Sequence, residues 1–142
     1  ASAADFTSLD STPAVSARIG SAYPPYATQL VLAHHHLVAD EPVDLGGGDT
    51  GPAPDELVLG ALGACTAITL RMYAERKQWP LEAVDVSLEY ALRDKGRTVI
   101  RRTVHLSGPL DEAQRERLLQ IANACPVHRI LTGAVEVPTA LG

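Results

Sequence analysis

The uncharged run from Leu57 to Leu70 constrains the fold of this chain more than any other segment. It fits a helix that begins near Asp55 and Glu56, where carboxylates suit the positive end of the helix dipole, and that continues to about Gln78. Apolar residues occupy nearly every side of its first half, which is typical of a helix enclosed on all sides. The run stops at Arg71, short of the about 20 residues that a bilayer requires, so we expect a buried helix rather than a membrane span.

Two glycines interrupt this run, at Gly60 and Gly63. In a helix interior each glycine costs about 1 kcal/mol relative to alanine. We expect another backbone, packed very closely against the helix, to compensate for that cost.

Strand patterns lie on both sides of the predicted helix. The early strands are expected at 15–19, 29–32 and 35–39, and the glycine- and proline-rich segment 46–54 is expected to be a loop. Val84 to Tyr90 alternates apolar and polar residues, and Asp94 to Arg97 should turn the chain into an antiparallel return over 98–106.

The C-terminal third predicts a second amphipathic helix over 111–124, a short third helix from Pro126, and a last strand from Ala134 to Val137. We expect the apolar stripe of the second helix to consist of Leu118, Leu119, Ile121 and Ala122. Strands, helix, hairpin, helix and strand in this order indicate an α+β domain. We expect a flexible segment over residues 1–12 and a single domain over 13–142.

Composition excludes several classes of partner. The net charge is −5 and no dense cluster of Lys and Arg stands out, so we expect no nucleic-acid binding. No positively charged segment followed by an apolar stretch opens the sequence, and two cysteines are too few for a disulfide-dependent scaffold. A reducing cytoplasm is therefore the expected compartment, and no membrane partner is expected.

The two cysteines, Cys65 and Cys125, are the candidate reactive groups. Pro126 suits the first position of a helix, which would make Cys125 the N-cap, where the helix dipole favours a thiolate. Cys65 lies in an apolar helix, where a thiolate is disfavoured unless a cation is near. Both cysteines could instead be small buried apolar residues, the usual role of an intracellular cysteine.

Several motifs together resemble the OsmC/Ohr family, the osmotically inducible and organic hydroperoxide resistance proteins. They are the segment from Gly51 through Cys65-Thr66, then Leu70-Arg71-Met72-Tyr73-Ala74, and Cys125-Pro126-Val127-His128-Arg129. His35, Asp40-Glu41-Pro42 and Gly46-Gly47 are similar to an OsmC-like branch. The resemblance implies an OsmC-like fold, in which curved antiparallel sheets pack on long central helices of an intertwined homodimer.

The resemblance also implies a chemistry. Family members reduce hydroperoxides with a cysteine pair and no metal or flavin cofactor, and one branch takes electrons from lipoylated proteins. It assigns the attack on peroxide to Cys65 and the formation of the disulfide to Cys125, although helix electrostatics alone would favour Cys125. The expected function is thus a thiol peroxidase acting in oxidative stress defence.

The family's loop arginine is not matched here. In peroxidase members an arginine between the first two strands polarises the cysteine and is held by a glutamate. The loop over 20–26 contains no arginine, so Arg18 on the preceding strand is the nearest candidate. Asp55 and Glu56 are the candidate carboxylates, although they could equally serve only as the first turn of a helix.

Histidines could replace the missing arginine. His128 would lie within one helical turn of Cys125 and could exchange a proton with the reacting groups, and His35 matches a histidine of the OsmC-like branch. Apolar neighbours of Cys65 would line the substrate site and would favour organic hydroperoxides: Leu62, Ile68 and Thr69.

Two rival functions remain open from the sequence. Cys65, Cys125, His128 and His35 could form a tetrahedral zinc site if they converge, although their spacings match no zinc finger. Within the His34–His36 run only the two outer histidines could bind the same metal ion, because side chains on a strand alternate between its two faces. A dimeric protein that binds a small apolar ligand without catalysis is the other alternative.

Overall fold

The computed structural model of this chain describes residues 14–142. Two units can be distinguished, residues 1–57 and residues 58–142, and each is described by itself. The expected flexible segment 1–12 lies outside the described residues. The single domain over 13–142 stays a prediction.

The N-terminal unit contains a three-stranded antiparallel sheet. Its strands are β1 (Val15–Arg18), β2 (Thr28–Leu32) and β3 (His35–Ala39), in the order β1-β2-β3. A two-residue turn joins β2 to β3, with Ala33 at a φ of 55°. All three strands predicted from the sequence are confirmed.

The loop after β3 is organised by one buried carboxylate. Asp40, only 2% exposed, accepts hydrogen bonds from the Thr50 hydroxyl at 2.6 Å and from the backbone N–H groups of Glu41, Gly48 and Thr50. The Thr50 hydroxyl, followed by these backbone donors, holds the Asp40 pKa below its ordinary value despite burial. Gly51 must be glycine, because a Cβ there would lie 1.9 Å from the Val38 carbonyl oxygen. The predicted loop is thus confirmed and tightly folded.

Helix α1 (Pro54–Lys77) has one buried and one exposed side. Ile68 is 58% exposed and Met72 61% exposed. In the first half of α1, for which the sequence predicts enclosure on all sides, Val58 is 39% exposed and Ala61 and Ala64 are exposed, so residues 14–142 do not enclose it. The buried face consists of Leu62, Thr66, Leu70, Tyr73 and Ala74.

No other backbone of residues 14–142 approaches the two helix glycines closely, and the expected close backbone stays a prediction. A Cβ at Gly60 would meet nothing within 4 Å, and one at Gly63 would meet the Leu88 side chain at 2.8 Å.

By length and composition alone, α1 is the one helix among residues 14–142 that could cross a membrane. The core helix of a soluble protein can satisfy the same criteria.

The C-terminal unit is built on a long hairpin. Strands β4 (Ala83–Asp94) and β5 (Arg97–Ser107) pair antiparallel across the two-residue turn Lys95–Gly96. Gly96 adopts a φ of 76°, which suits glycine in a tight hairpin turn. The predicted hairpin is confirmed, with an irregularity between Tyr90 and Leu92.

Two helices complete this unit. Helix α2 (Glu112–Ala122) begins with a reciprocal capping box between Asp111 and Gln114, and α3 (Pro126–Thr132) follows after a short turn. Both helices confirm the sequence predictions, but Leu119 is 59% exposed and does not belong to the buried stripe. The core joins α1, the hairpin and α2 through Leu70, Tyr73, Ala74, Leu81, Leu110, Leu118 and Ala122.

The predicted last strand from Ala134 to Val137 is wrong. Residues 133–142 form no helix or strand, and Val135 and Val137 are 61% and 79% exposed. A strand requires a neighbour with which to form hydrogen bonds. No strand of the chain between residues 14 and 142 pairs with this segment.

Candidate functional site

Cys125 occupies the N-cap of α3, as the sequence predicts. Its sulfur accepts a hydrogen bond from the backbone N–H of His128 at 3.3 Å, and Pro126 takes the first helical position. The residue is 0% exposed. The first turn of the helix therefore places a backbone hydrogen-bond donor against a buried sulfur.

Cys65 lies in the middle of α1, next to its buried face. It is half-buried, and both cysteines are free thiols. Helical neighbours one turn away lie on either side of it, Leu62 before and Thr69 after. Of the predicted substrate-binding residues, Leu62 is buried, Thr69 is half-buried and Ile68 is exposed.

Arg102 connects the segments that carry the two cysteines. Its Nη1 donates to the Thr66 hydroxyl at 3.1 Å and to the Ala122 carbonyl oxygen at 3.3 Å, and its Nη2 donates to Asn123 Oδ1 at 2.8 Å. Thr66 directly follows Cys65, and Asn123 is two residues before Cys125. One guanidinium group therefore holds the middle of α1 beside the turn that leads into α3.

Sequence reasoning missed Arg102, although a signal was present. From Ile100 onward along β5, the half-buried positions are the even-numbered ones, including Val104 and Leu106. Arg102 shares their phase, so a charged side chain occupies the inward-facing register of an amphipathic strand. A residue of this kind needs polar partners, and its presence could have indicated a site.

Beside Arg102 lies a cavity of about 670 Å³. Its walls come from the start of α1, the hairpin, α2 and α3. Neither cysteine is among its described lining residues. The cavity is lined by Val58, Leu62, Tyr90, Arg93, Thr98, Ile100, Arg102, Val104, Leu119, Asn123, His128, Leu131 and Thr132.

His128 contributes two different groups to this region. Its backbone N–H contacts the Cys125 sulfur, whereas its side chain lines the cavity. Burial, and then the charge of Arg102, lowers the pKa of the imidazole below its ordinary value. His128 is therefore neutral near pH 7 and able to accept a proton.

A second cavity, of about 550 Å³, lies on the other flank of Cys125. Ala124 and Pro126, the two neighbours of Cys125, both line it, as does Thr69 of α1. The remaining lining residues are Met72, Tyr73, Glu75, Arg76 and Ile121. The segment that carries Cys125 thus contributes residues to the walls of two cavities.

The predicted carboxylates lie at the start of α1, in the N-terminal unit. Glu56 Oε1 accepts a hydrogen bond from the Ala53 N–H at 2.8 Å, so it caps the helix. Asp55 is half-buried and lines a groove of about 360 Å³ together with Glu56 and Glu41. The capping role of Glu56 is confirmed, and a catalytic role for either carboxylate stays a prediction.

Arg18 and His35 also belong to the N-terminal unit. Arg18 is exposed at the end of β1 and lines a shallow pocket with Tyr23 and Gln29. His35 is exposed, and its ring centroid lies 4.0 Å from that of His34. Their roles at the cysteine site stay predictions. Within residues 14–142 no group of three or more His, Cys, Asp or Glu could hold a metal ion, so the proposed zinc set is not assembled there.

Comparison with known proteins decides the family. The model of the OsmC-like protein family matches residues 46–140, which is more than half of the chain. This chain belongs to the OsmC-like family. No curated protein matches it.

Solved structures share the fold. An OsmC-like protein from Mycoplasma pneumoniae superposes with a TM-score of 0.69 at 16% identity, covering 88% of this chain and 90% of that one. The organic hydroperoxide resistance protein OsmC from Legionella pneumophila gives 0.62 at 19% identity, covering 86% and 90%. The organic hydroperoxide resistance protein OhrB of Bacillus subtilis gives 0.56 at 23% identity, covering 86% and 91%. The OsmC-like α+β fold is therefore confirmed.

Proposed function

We propose that this OsmC-like chain is a thiol peroxidase that reduces organic hydroperoxides through Cys65 and Cys125. The observation that supports the proposal most directly is the Arg102 bridge, because one nitrogen contacts both Thr66 and Ala122. The segments of the two free thiols are therefore neighbours. Similar proteins named for organic hydroperoxide resistance support the same substrate class.

The proposed cycle balances with one peroxide and one dithiol. The Cys65 thiolate attacks the outer oxygen of the hydroperoxide, an S–O bond forms, the O–O bond breaks, and the alkoxide leaves with the electron pair and takes a proton from water. Cys65 is then a sulfenic acid. The Cys125 sulfur displaces its hydroxyl as water to form a disulfide, which a dithiol reductant restores to two thiols.

Other residues would support this cycle. His128 is the proposed acceptor of the Cys125 proton, because its lowered pKa favours the neutral imidazole, and its backbone N–H donates a hydrogen bond to that sulfur. Leu62 and Thr69 would face an organic substrate, since each lines a cavity beside the cysteine segments. Asp55, Glu56, Arg18 and His35 keep the supporting roles that the family resemblance implies.

The proposal includes a homodimer and a dithiol partner, for which a lipoylated protein is suited. The exposed apolar side of α1 supports self-association, because large apolar side chains such as Ile68 and Met72 favour a protein partner over water. Two free thiols suit a reducing cytoplasm. We propose no nucleic-acid or membrane partner.

Peroxide consumption tests the proposal. Purified protein with dithiothreitol or dihydrolipoamide should consume cumene hydroperoxide, and Cys65→Ser should abolish this activity. The Cys125→Ser variant should still complete the first turnover and should then accumulate the Cys65 sulfenic acid, which dimedone labelling detects. Mass spectrometry should find a peptide pair joined through Cys65 and Cys125 after peroxide treatment. Peroxide that leaves both thiols unchanged would exclude the cycle.

One observation favours a second function, binding of a small apolar ligand without catalysis. Six of the thirteen residues that line the larger cavity are aliphatic, and neither cysteine is among the thirteen. A ligand could therefore occupy it without meeting a thiol. Fluorescent fatty-acid analogues that bind equally well to wild type and Cys65→Ser, with no peroxide consumption by either, would favour this alternative.

A further inference from the structure

Arg102 carries a positive charge next to the segments of both cysteines, because it contacts Thr66 on one side and Ala122 and Asn123 on the other. Its acceptors among residues 14–142 are three neutral oxygens, from Thr66, Ala122 and Asn123. A half-buried guanidinium with only neutral acceptors has lost water without gaining a carboxylate. The site therefore attracts an anion.

The neighbouring arginine shows the contrast. Arg101, one residue earlier on β5, faces the opposite side of the strand and pairs with Glu89 at 2.6 Å. Its side chain is 61% exposed, and its charge is balanced by a carboxylate in water. The two arginines have the same chemistry, but only Arg102 has a positive charge directed into a protein site.

Three of the five N–H donors of a guanidinium are used by these contacts, which fix the plane of the group. Arg102 also lines the larger cavity beside His128. Cys65 directly precedes Thr66, the residue whose hydroxyl Arg102 contacts, and the Cα atoms of the two residues lie about 3.8 Å apart. A fixed cation thus contacts both cysteine segments and also lines the cavity.

We propose that Arg102 is the catalytic cation of this chain and replaces the arginine that its first loop lacks. The inference rests on the proposed peroxidase function. When the O–O bond breaks, negative charge develops on the departing alkoxide oxygen, and the guanidinium stabilises it by charge and by its remaining N–H donors. Because Thr66 and Asn123 hold the group in advance, little reorganisation is needed during the reaction.

Charge removal at this position tests the inference. Arg102→Gln should lower kcat/KM for cumene hydroperoxide by about 100-fold or more, the typical effect of losing one preorganised donor. Arg102→Lys keeps the charge and should recover a substantial part of that loss. Arg101→Gln is the matched control and should retain wild-type activity. Circular dichroism checks that each variant is folded, and the Lys variant keeps the test valid if the Gln variant unfolds.

A readout independent of peroxide accompanies the kinetics. Since the Arg102 charge contributes to the lowered pKa of His128, the NMR titration midpoint of that imidazole should rise in Arg102→Gln and stay low in Arg102→Lys and Arg101→Gln. Wild-type protein that is active, with equal activity in folded Arg102→Gln, overturns the inference alone. Wild-type protein that consumes no peroxide overturns the proposed function and this inference with it.

Discussion

The two sides of α1 have similar amino acids but different surroundings. On one side, Leu70 and Ala74 are 0% exposed and pack against the hairpin and α2. On the other side, Ile68 and Met72 are more than half exposed. Periodicity alone could not separate the sides, because both are apolar. Residues 14–142 cover only one of them.

This difference separates two kinds of information in the sequence. The residues of the buried side form part of the core that stabilises the single chain. The exposed side presents apolar residues that residues 14–142 of one chain leave uncovered, and the proposed second copy would cover them. Variants on each side should therefore affect different properties, stability on the first and self-association on the second.

The largest expected effect comes from the buried side. Leu70→Ala should lower the free energy of unfolding by about 2–5 kcal/mol, because it removes a fully buried side chain and leaves a cavity. Met72→Ala, on the exposed side, should change it by about 0.5 kcal/mol or less under dilute conditions. Urea denaturation at low protein concentration measures both. Equal losses would show that the two sides are buried to the same degree in solution.

A smaller effect is expected from a charge on the exposed side. Ile68→Glu should weaken self-association at least about tenfold, ~1.4 kcal/mol, because a carboxylate would enter an apolar contact. Analytical ultracentrifugation measures the dissociation constant, and circular dichroism should remain that of wild type. Ile130→Glu is the matched control, since Ile130 on α3 is also 58% exposed. An unchanged dissociation constant in Ile68→Glu would place the contact elsewhere.

The sequence predicted the elements well because their signals are local. The hairpin turn at Gly96, the Cys125 N-cap and the extent of α1 each depend on residues close together in the chain. The last strand failed because a strand depends on a distant neighbour, which the sequence of Ala134 to Val137 does not specify. The apolar pattern of α1 indicated that the helix is buried, but it did not identify which part of the protein covers it.

The candidate site was predictable only in part. The cysteines and His128 stood out as residue types that carry chemistry. Arg102 lies on a strand, 23 residues before Cys125, and only its contacts in the folded structure identify it as a site residue. Its neutral partners, Thr66 and Asn123, are common residues that no motif distinguishes. Contacts between segments distant in sequence, rather than residue types, define that part of the site.

The smallest expected effect concerns the helix glycines, measured in the Ile68→Glu background at protein concentrations below its dissociation constant, where the chain is monomeric. A Cβ at Gly60 would meet nothing within 4 Å, so Gly60→Ala should raise the free energy of unfolding by about 0.5–1 kcal/mol through helix propensity. Gly63→Ala is the control, because its Cβ would press on the Leu88 side chain at 2.8 Å and offset that gain.

The same Gly60→Ala change in the wild-type background distinguishes what covers this side of α1. If a second copy packs its backbone against Gly60, the added methyl group forces the two helices apart, and the dissociation constant measured by ultracentrifugation rises. A gain in stability in the monomer combined with weaker association would mean that the glycine is required by the partner and not by the fold. If Gly60→Ala raises the free energy of unfolding and also strengthens association, no backbone approaches Gly60. The cost of this glycine to the helix would then have no structural compensation in a dimer.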